Sequence, residues 1–133
     1  MIRLLIVDDH PAFRRGLELM LSDVDDIEVV AQAASGEEAV ELAAQATPDV
    51  VLMDLSLPVM DGLEATRRIR RELPEVQVIG LSMFNERERG AAMLTAGAAA
   101  YLSKSGRIDV LLETIRRVHA GRAAAAPAGP VSP

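Results

Sequence analysis

Apolar runs of strand length recur along this chain at residues 4–7, 27–31, 50–53, 76–81 and 98–102, and a helical pattern follows each of them. Strands that alternate with helices call for crossover connections, and those connections build a parallel sheet with helices on both faces. The helical intervals can be read one by one. Phe13, Leu17, Met20 and Leu21 share one helical face, and Pro11 stands where a first turn tolerates proline. Ser35-Gly36-Glu37-Glu38 reads as a capping box, followed by a stripe of Ala39, Leu42 and Ala43. Leu63, Thr66, Ile69 and Leu73 form the next stripe, with Arg67, Arg68, Arg70 and Arg71 expected outward and Pro74 as the stop. The interval 86–96 is a weaker helix, broken by Gly90 and apolar mainly through alanine and methionine, and is expected to be the least rigid. Ile108, Leu111, Leu112, Ile115 and Val118 make the clearest stripe, expected to end at a Gly121 C-cap with Arg116, Arg117 and His119 near the helix end.

The expected fold class is therefore α/β, a doubly wound five-stranded parallel sheet formed by residues 1–121. Residues 122–133 carry an alanine run and then prolines without apolar periodicity, the pattern of a linker or tail. With 133 residues, no second folded unit fits. Aromatic residues make up only 2%, so the core must be aliphatic. The absence of cysteine excludes a disulfide scaffold and a thiolate metal site. A formal charge of −6 argues against nucleic-acid binding by this segment, because phosphate neutralisation needs excess Lys and Arg. The first apolar run is too short and too charged for a signal peptide or membrane span, so a cytoplasmic location is expected.

Three of the runs end in charge. Asp8 and Asp9 follow the first, Asp54 the third, and Lys104, the only lysine beside thirteen arginines, the fifth. In an open α/β sheet the carboxyl ends of the strands converge on one edge, where ligands bind. Three carboxylates and one ammonium would then share a pocket. Crowded carboxylates are relieved by a raised pKa or a bound cation, and oxygen donors suit a hard dication such as magnesium.

These residues carry a resemblance. The acid pair, Asp54, Ser82 after the fourth run, and Tyr101 with Lys104 around the fifth stand in the order of the receiver domain of two-component response regulators. The segment Asp54-Leu55-Ser56-Leu57-Pro58-Val59-Met60-Asp61-Gly62 resembles the family's phosphoacceptor loop, which ends in a Pro-x-x-Asp-Gly turn. Asp8-Asp9-His10-Pro11 and the segment 115–121 further resemble the NarL/FixJ class, whose members usually join a receiver to a C-terminal helix-turn-helix; no such module lies within this sequence.

The resemblance implies a flavodoxin-like sheet of order 2-1-3-4-5. It implies Asp54 as the nucleophile that takes a phosphoryl group from a sensor histidine kinase. Asp9, Asp54 and the Ser56 backbone carbonyl would ligate Mg2+ (or Mn2+), and Asp8 would act mainly through water. Lys104 and Ser82 would contact phosphoryl oxygens, and Ser82 with Tyr101 would form the switch. Ser56 and Phe84 would tune dephosphorylation; neither is a carboxylate or carboxamide able to orient water, so a long-lived phosphorylated form is expected. Homodimerisation on phosphorylation is a further implication. The family often has a cis proline after the lysine, whereas Ser105 stands here, and a cis bond without proline costs about 2.5–4 kcal/mol.

Plainer roles stand beside these. Asp61 reads as a turn or N-cap residue, His10 as a loop residue that positions its acidic neighbours, and the arginines at 67–71 as a solvated face paired with Glu64 and Glu72. A magnesium-dependent phosphohydrolase of the haloacid dehalogenase type would need an acid where Ser56 stands. A flavin-binding module would need a hydroxyl-rich loop in place of residues 8–11. A stand-alone receiver that signals by docking, and a receiver-like fold that works without phosphorylation, are the remaining alternatives.

Overall fold

The computed structural model describes residues 1–83 and 87–125. Ten elements alternate: β1 (Ile2–Val7), α1 (Pro11–Leu21), β2 (Ile27–Ala33), α2 (Gly36–Ala46), β3 (Val50–Asp54), α3 (Gly62–Glu72), β4 (Gln77–Ser82), α4 (Arg87–Thr95), β5 (Ala100–Ser103) and α5 (Ile108–Ala125). All strands are parallel, in the order β2-β1-β3-β4-β5. The expected class and strand order are both met.

Strand side chains alternate between faces, and the core divides accordingly. Leu5, Val7, Val51, Met53 and Val78 face Ala39 and Ala43 of α2, Ala65 and Ile69 of α3 and Met93 of α4. Leu4, Ile6, Leu52, Ile79 and Leu81 face Leu17 and Leu21 of α1 and Leu111 and Ile115 of α5. The first layer is packed with alanine, which lets α2 and α3 lie close to the sheet. The second is filled by branched aliphatics, as the stripes of α1 and α5 predict.

Local signals set the helix starts. Ser35 Oγ accepts from Glu38 N at 3.2 Å, and the Glu38 carboxylate reaches back to Ala34 N at 2.6 Å, one residue earlier than a standard capping box. Asp61 caps α3 by accepting from Glu64 N at 3.0 Å, the role read for it from sequence.

Four expectations need correction. Met20 is half exposed, while Leu17 and Leu21, with Phe13 partly buried beside them, make the inner face of α1. Arg70 turns inward: its guanidinium donates to the Pro74 and Val76 carbonyls, and it packs on Gly97. Burial holds its pKa below the usual arginine value. Helix α5 does not stop at Gly121 but runs to Ala125, because glycine costs only ~1 kcal/mol in a helix and the alanines after it are the best helix formers. Consequently Arg116 is not in the last turn, and it pairs with Asp26 at 2.8 Å instead.

Candidate functional site

Asp54 is the last residue of β3, Asp8 follows β1, and Lys104 follows β5. Each stands two residues after a side chain that faces α1 and α5, namely Leu52, Ile6 and Leu102. The two-residue period therefore sends all three to the same face at the same edge of the sheet. β1 and β3 are neighbours, so Asp8 and Asp54 lie side by side. β5 is two strands from β3, roughly 10 Å, and only a long stem can cross β4 to reach them. Lysine has that stem.

The Lys104 Nζ lies 2.5 Å from Asp8 Oδ2 and 3.3 Å from Asp54 Oδ2. All three side chains are nearly inaccessible, with 5% of Lys104 and 1–3% of the aspartates exposed. The Lys104 backbone N–H donates to the Ser82 carbonyl at 2.7 Å, which ties the lysine's base to the end of β4. Its ammonium also lies 4.8 Å from the centroid of the Phe13 ring on α1, a cation–π contact.

Asp54 Oδ1 accepts from the Ser56 backbone N–H at 3.0 Å, so the carboxylate is aimed by its own loop. Burial raises the Asp54 pKa above the ordinary carboxylate value; the Ser56 N–H opposes that rise, the Asp8 charge adds to it, and Lys104 offsets part of it. Gly62 is required behind the loop, since a Cβ there would lie 2.2 Å from the Asp54 carbonyl oxygen. Val59, at the loop's tip, has φ of 64° and is almost fully exposed.

Asp8 is held by its neighbours. Oδ1 accepts from the His10 backbone N–H at 2.8 Å and faces the His10 Nδ1 at 3.1 Å, while Arg14 donates to the Asp8 carbonyl. His10 Nδ1 also stands 3.0 Å from Asp9 Oδ1. His10 thus positions both acids, as read from sequence.

Ligand atoms of Asp8, Asp9, His10 and Asp54 all fall within 4.8 Å of one another. Asp8 Oδ2, Asp9 Oδ1 and Asp54 Oδ2 are buried and, beyond the charges of Lys104 and His10, accept no hydrogen bond. Buried carboxylate oxygens left in this state are costly, and a hard dication with oxygen ligands is what such a donor set fits.

Ser82 and Tyr101 belong to the opposite parity and face α4. Ser82 is buried at the end of β4, and the Tyr101 ring lies against Gly90, where a Cβ would meet ring carbons at 2.3–2.5 Å. The glycine that weakens α4 in sequence thus makes room for the tyrosine. The Lys104–Ser105 peptide is trans, in keeping with serine at that position. Phe84 lies outside the described residues.

Three participants escaped sequence reading. Phe13 and Arg14 could have been suspected from their place one turn into the helix that follows the acid pair. Arg89, which donates to Ser56 Oγ at 3.1 Å and to the Leu55 carbonyl at 2.6 Å, left no signal, since its helix has no strong apolar stripe to orient it.

The family model of the response regulator receiver domain matches residues 4–116. The chain belongs to the response regulator receiver family. It is 43% identical over 122 residues to the response regulator GacA of Pseudomonas viridiflava, an alignment covering 92% of this chain and 57% of that protein. It is equally identical to the response regulator UvrY of Escherichia coli strain K12, with 92% of this chain and 56% of that protein covered. Receiver family membership thus extends over nearly the whole chain, which spans little more than half the length of these curated relatives. Among solved structures, a LuxR-family two-component response regulator from Aurantimonas sp. SI85-9A1 superposes with a TM-score of 0.87 at 36% identity, covering 92% of this chain and 87% of that one. No described helix is long and apolar enough to cross a membrane.

Proposed function

We propose that Asp54 is the phosphoacceptor of this receiver and that its donor is the phosphohistidine of a sensor histidine kinase. The observation that carries this reading is the placement of Asp54: buried, with one oxygen fixed by the Ser56 N–H and the other turned toward Lys104 beside Asp8. In the transfer, an Asp54 carboxylate oxygen forms a bond to phosphorus as the donor's N–P bond breaks, and the imidazole leaves with that electron pair. An acyl phosphate donates in the same way through its O–P bond. Lys104 supplies positive charge to the incoming phosphoryl oxygens, and the Ser82 hydroxyl and the backbone amides near Ser56 and Met83 donate to them.

Asp8, Asp9, Asp54 and the Ser56 backbone carbonyl would hold Mg2+, or Mn2+ in its place. When bound, the dication neutralises charge that builds between acceptor and phosphoryl group. Asp9 and Asp54 would be its direct ligands and Asp8 would act mainly through water, which would leave Asp8 Oδ2 to Lys104.

Ser82, drawn toward the phosphoryl group, vacates space into which Tyr101 turns, and the α4–β5–α5 surface shifts between two arrangements. That surface, or one formed by α1 and α5, serves a partner or a second copy of the chain. Beyond its own phosphorylation and slow dephosphorylation the segment catalyses nothing, works in the cytoplasm, binds no nucleic acid directly, and controls an attached transcription module. Neither Ser56 nor Phe84 offers a carboxylate or carboxamide to orient a hydrolytic water, so the phosphorylated form is long-lived; decay within seconds without a phosphatase contradicts this.

Incubation with acetyl phosphate and Mg2+, followed by intact mass measurement, tests the reading. Wild type gains one phosphoryl group and Asp54→Asn gains none. An adduct that survives the substitution overturns the choice of acceptor.

A further inference from the structure

We propose that Arg89, on α4, is a positioning residue for phosphoryl transfer to Asp54, an inference that rests on the phosphoacceptor reading. The geometry runs through a single peptide unit. The Leu55 carbonyl accepts from Arg89 Nη2 at 2.6 Å, and the N–H of that same peptide, Ser56 N–H, donates to Asp54 Oδ1 at 3.0 Å. A peptide unit is planar and rigid, so whatever fixes its carbonyl fixes the direction of its N–H. The guanidinium also polarises the amide, which strengthens the bond it gives to the carboxylate.

The second arm of the fork has its own acceptor. Arg89 Nη1 donates to Ser56 Oγ at 3.1 Å, holding the side chain of the residue whose backbone serves Asp54. Two donors in a fixed plane match two acceptors on successive residues, a fit that a point-charge ammonium cannot reproduce. The acceptor is therefore aimed from a different element of the fold, by a side chain 34 residues from Leu55 in sequence.

That element is the helix expected from its sequence to be the least rigid. Arg89 is followed by Gly90, against which the Tyr101 ring lies, and in the core the helix is anchored by Met93. A displacement of α4 pulls the guanidinium off the Leu55–Ser56 peptide, so a partner that prefers one position of α4 changes the reactivity of Asp54. Coupling of this kind is reciprocal for binding equilibria.

The test uses Arg89→Ala and Arg89→Lys in the full chain, with two readouts: the Ser56 amide resonance in 1H–15N spectra, and the initial rate of phosphorylation by acetyl phosphate with Mg2+. In Arg89→Ala the Ser56 amide proton moves upfield and the rate falls about three- to tenfold, the range for one lost hydrogen bond of ordinary strength. Arg89→Lys keeps the bond to the Leu55 carbonyl and falls between wild type and Arg89→Ala in both readouts; if Arg89→Ala fails to fold, Arg89→Lys against wild type decides alone. An unmoved Ser56 amide, or wild-type rates in the variants, overturns the proposal. The amide readout needs no phosphorylation. A wild-type protein that takes no phosphoryl group therefore sinks the phosphoacceptor reading, and with it the role of Arg89 in transfer, while the amide still reports whether Arg89 holds the loop.

Discussion

The two ends of the sheet treat charge in opposite ways. At the amino end, Asp49 accepts from the Arg3 backbone N–H at 2.9 Å, and Asp26 forms a two-point pair with Arg116 at 2.8 and 2.9 Å, open to solvent. At the carboxyl end, Asp8 and Asp54 are buried around one ammonium, and the Oδ2 atom of each has that charge alone as its partner. Charges of the first kind are paired within the fold and ask for nothing more. Charges of the second kind are only partly compensated within the fold, and the proposed dication would complete them.

Removing the ammonium should expose this difference most strongly. Lys104→Met leaves two buried carboxylates facing one another, and a loss of ~3 kcal/mol or more in urea unfolding is expected, together with loss of phosphorylation. A variant as stable as wild type would show that the carboxyl end is as well compensated as the amino end.

Adding a dication should work in the other direction. Mg2+ at a hundredfold excess over its Kd is expected to stabilise wild type by about 2.7 kcal/mol, seen as a rise in Tm that EDTA reverses. No rise at any Mg2+ concentration would remove the metal from the site.

Neutralising the acceptor has a smaller effect whose sign follows from its pKa. Burial raises the folded-state pKa of Asp54, so the folded protein holds this proton more tightly than the unfolded chain does. Stability is thus lost as pH rises from the ordinary carboxylate value through the raised one. Asp54→Asn should raise Tm at pH 7 without Mg2+, by on the order of a few degrees, and the gain should vanish as pH falls below that window. A variant less stable than wild type at pH 7 would mean that Lys104 outweighs burial.

Arg116→Ala, at the opposite end, should change least. The pair with Asp26 is exposed, and Tm should barely move while phosphorylation is unchanged. A loss of phosphorylation would make that end part of the site.

The contrast between the ends was partly legible in the sequence. Asp8, Asp54 and Lys104 each close an apolar run, and a parallel sheet gathers the ends of such runs, so their convergence could be read without coordinates. The Asp61 cap and the positioning role of His10 were equally local, each decided within three residues. What could not be read depended on reach. Arg70 and Arg89 sit in helices whose patterns give a face but not the path of a long side chain, and one turned inward while the other crossed to the acceptor loop. The end of α5 was misjudged because a glycine signal outweighed the alanines that follow it. Gly90 looked like a defect until its contact with Tyr101 supplied the reason for it.

The most direct measurement is to trap the phosphoryl adduct by borohydride reduction after treatment with acetyl phosphate and Mg2+, and to map the reduced residue by peptide mass spectrometry. Reduction of an acyl phosphate leaves an alcohol on the side chain that carried it. The modified position is expected to be 54 alone. Modification at Asp8 or Asp9, or none in a protein that has gained phosphoryl mass, would contradict the assignment of the carboxyl end of the sheet as an aspartyl-phosphate site centred on Asp54.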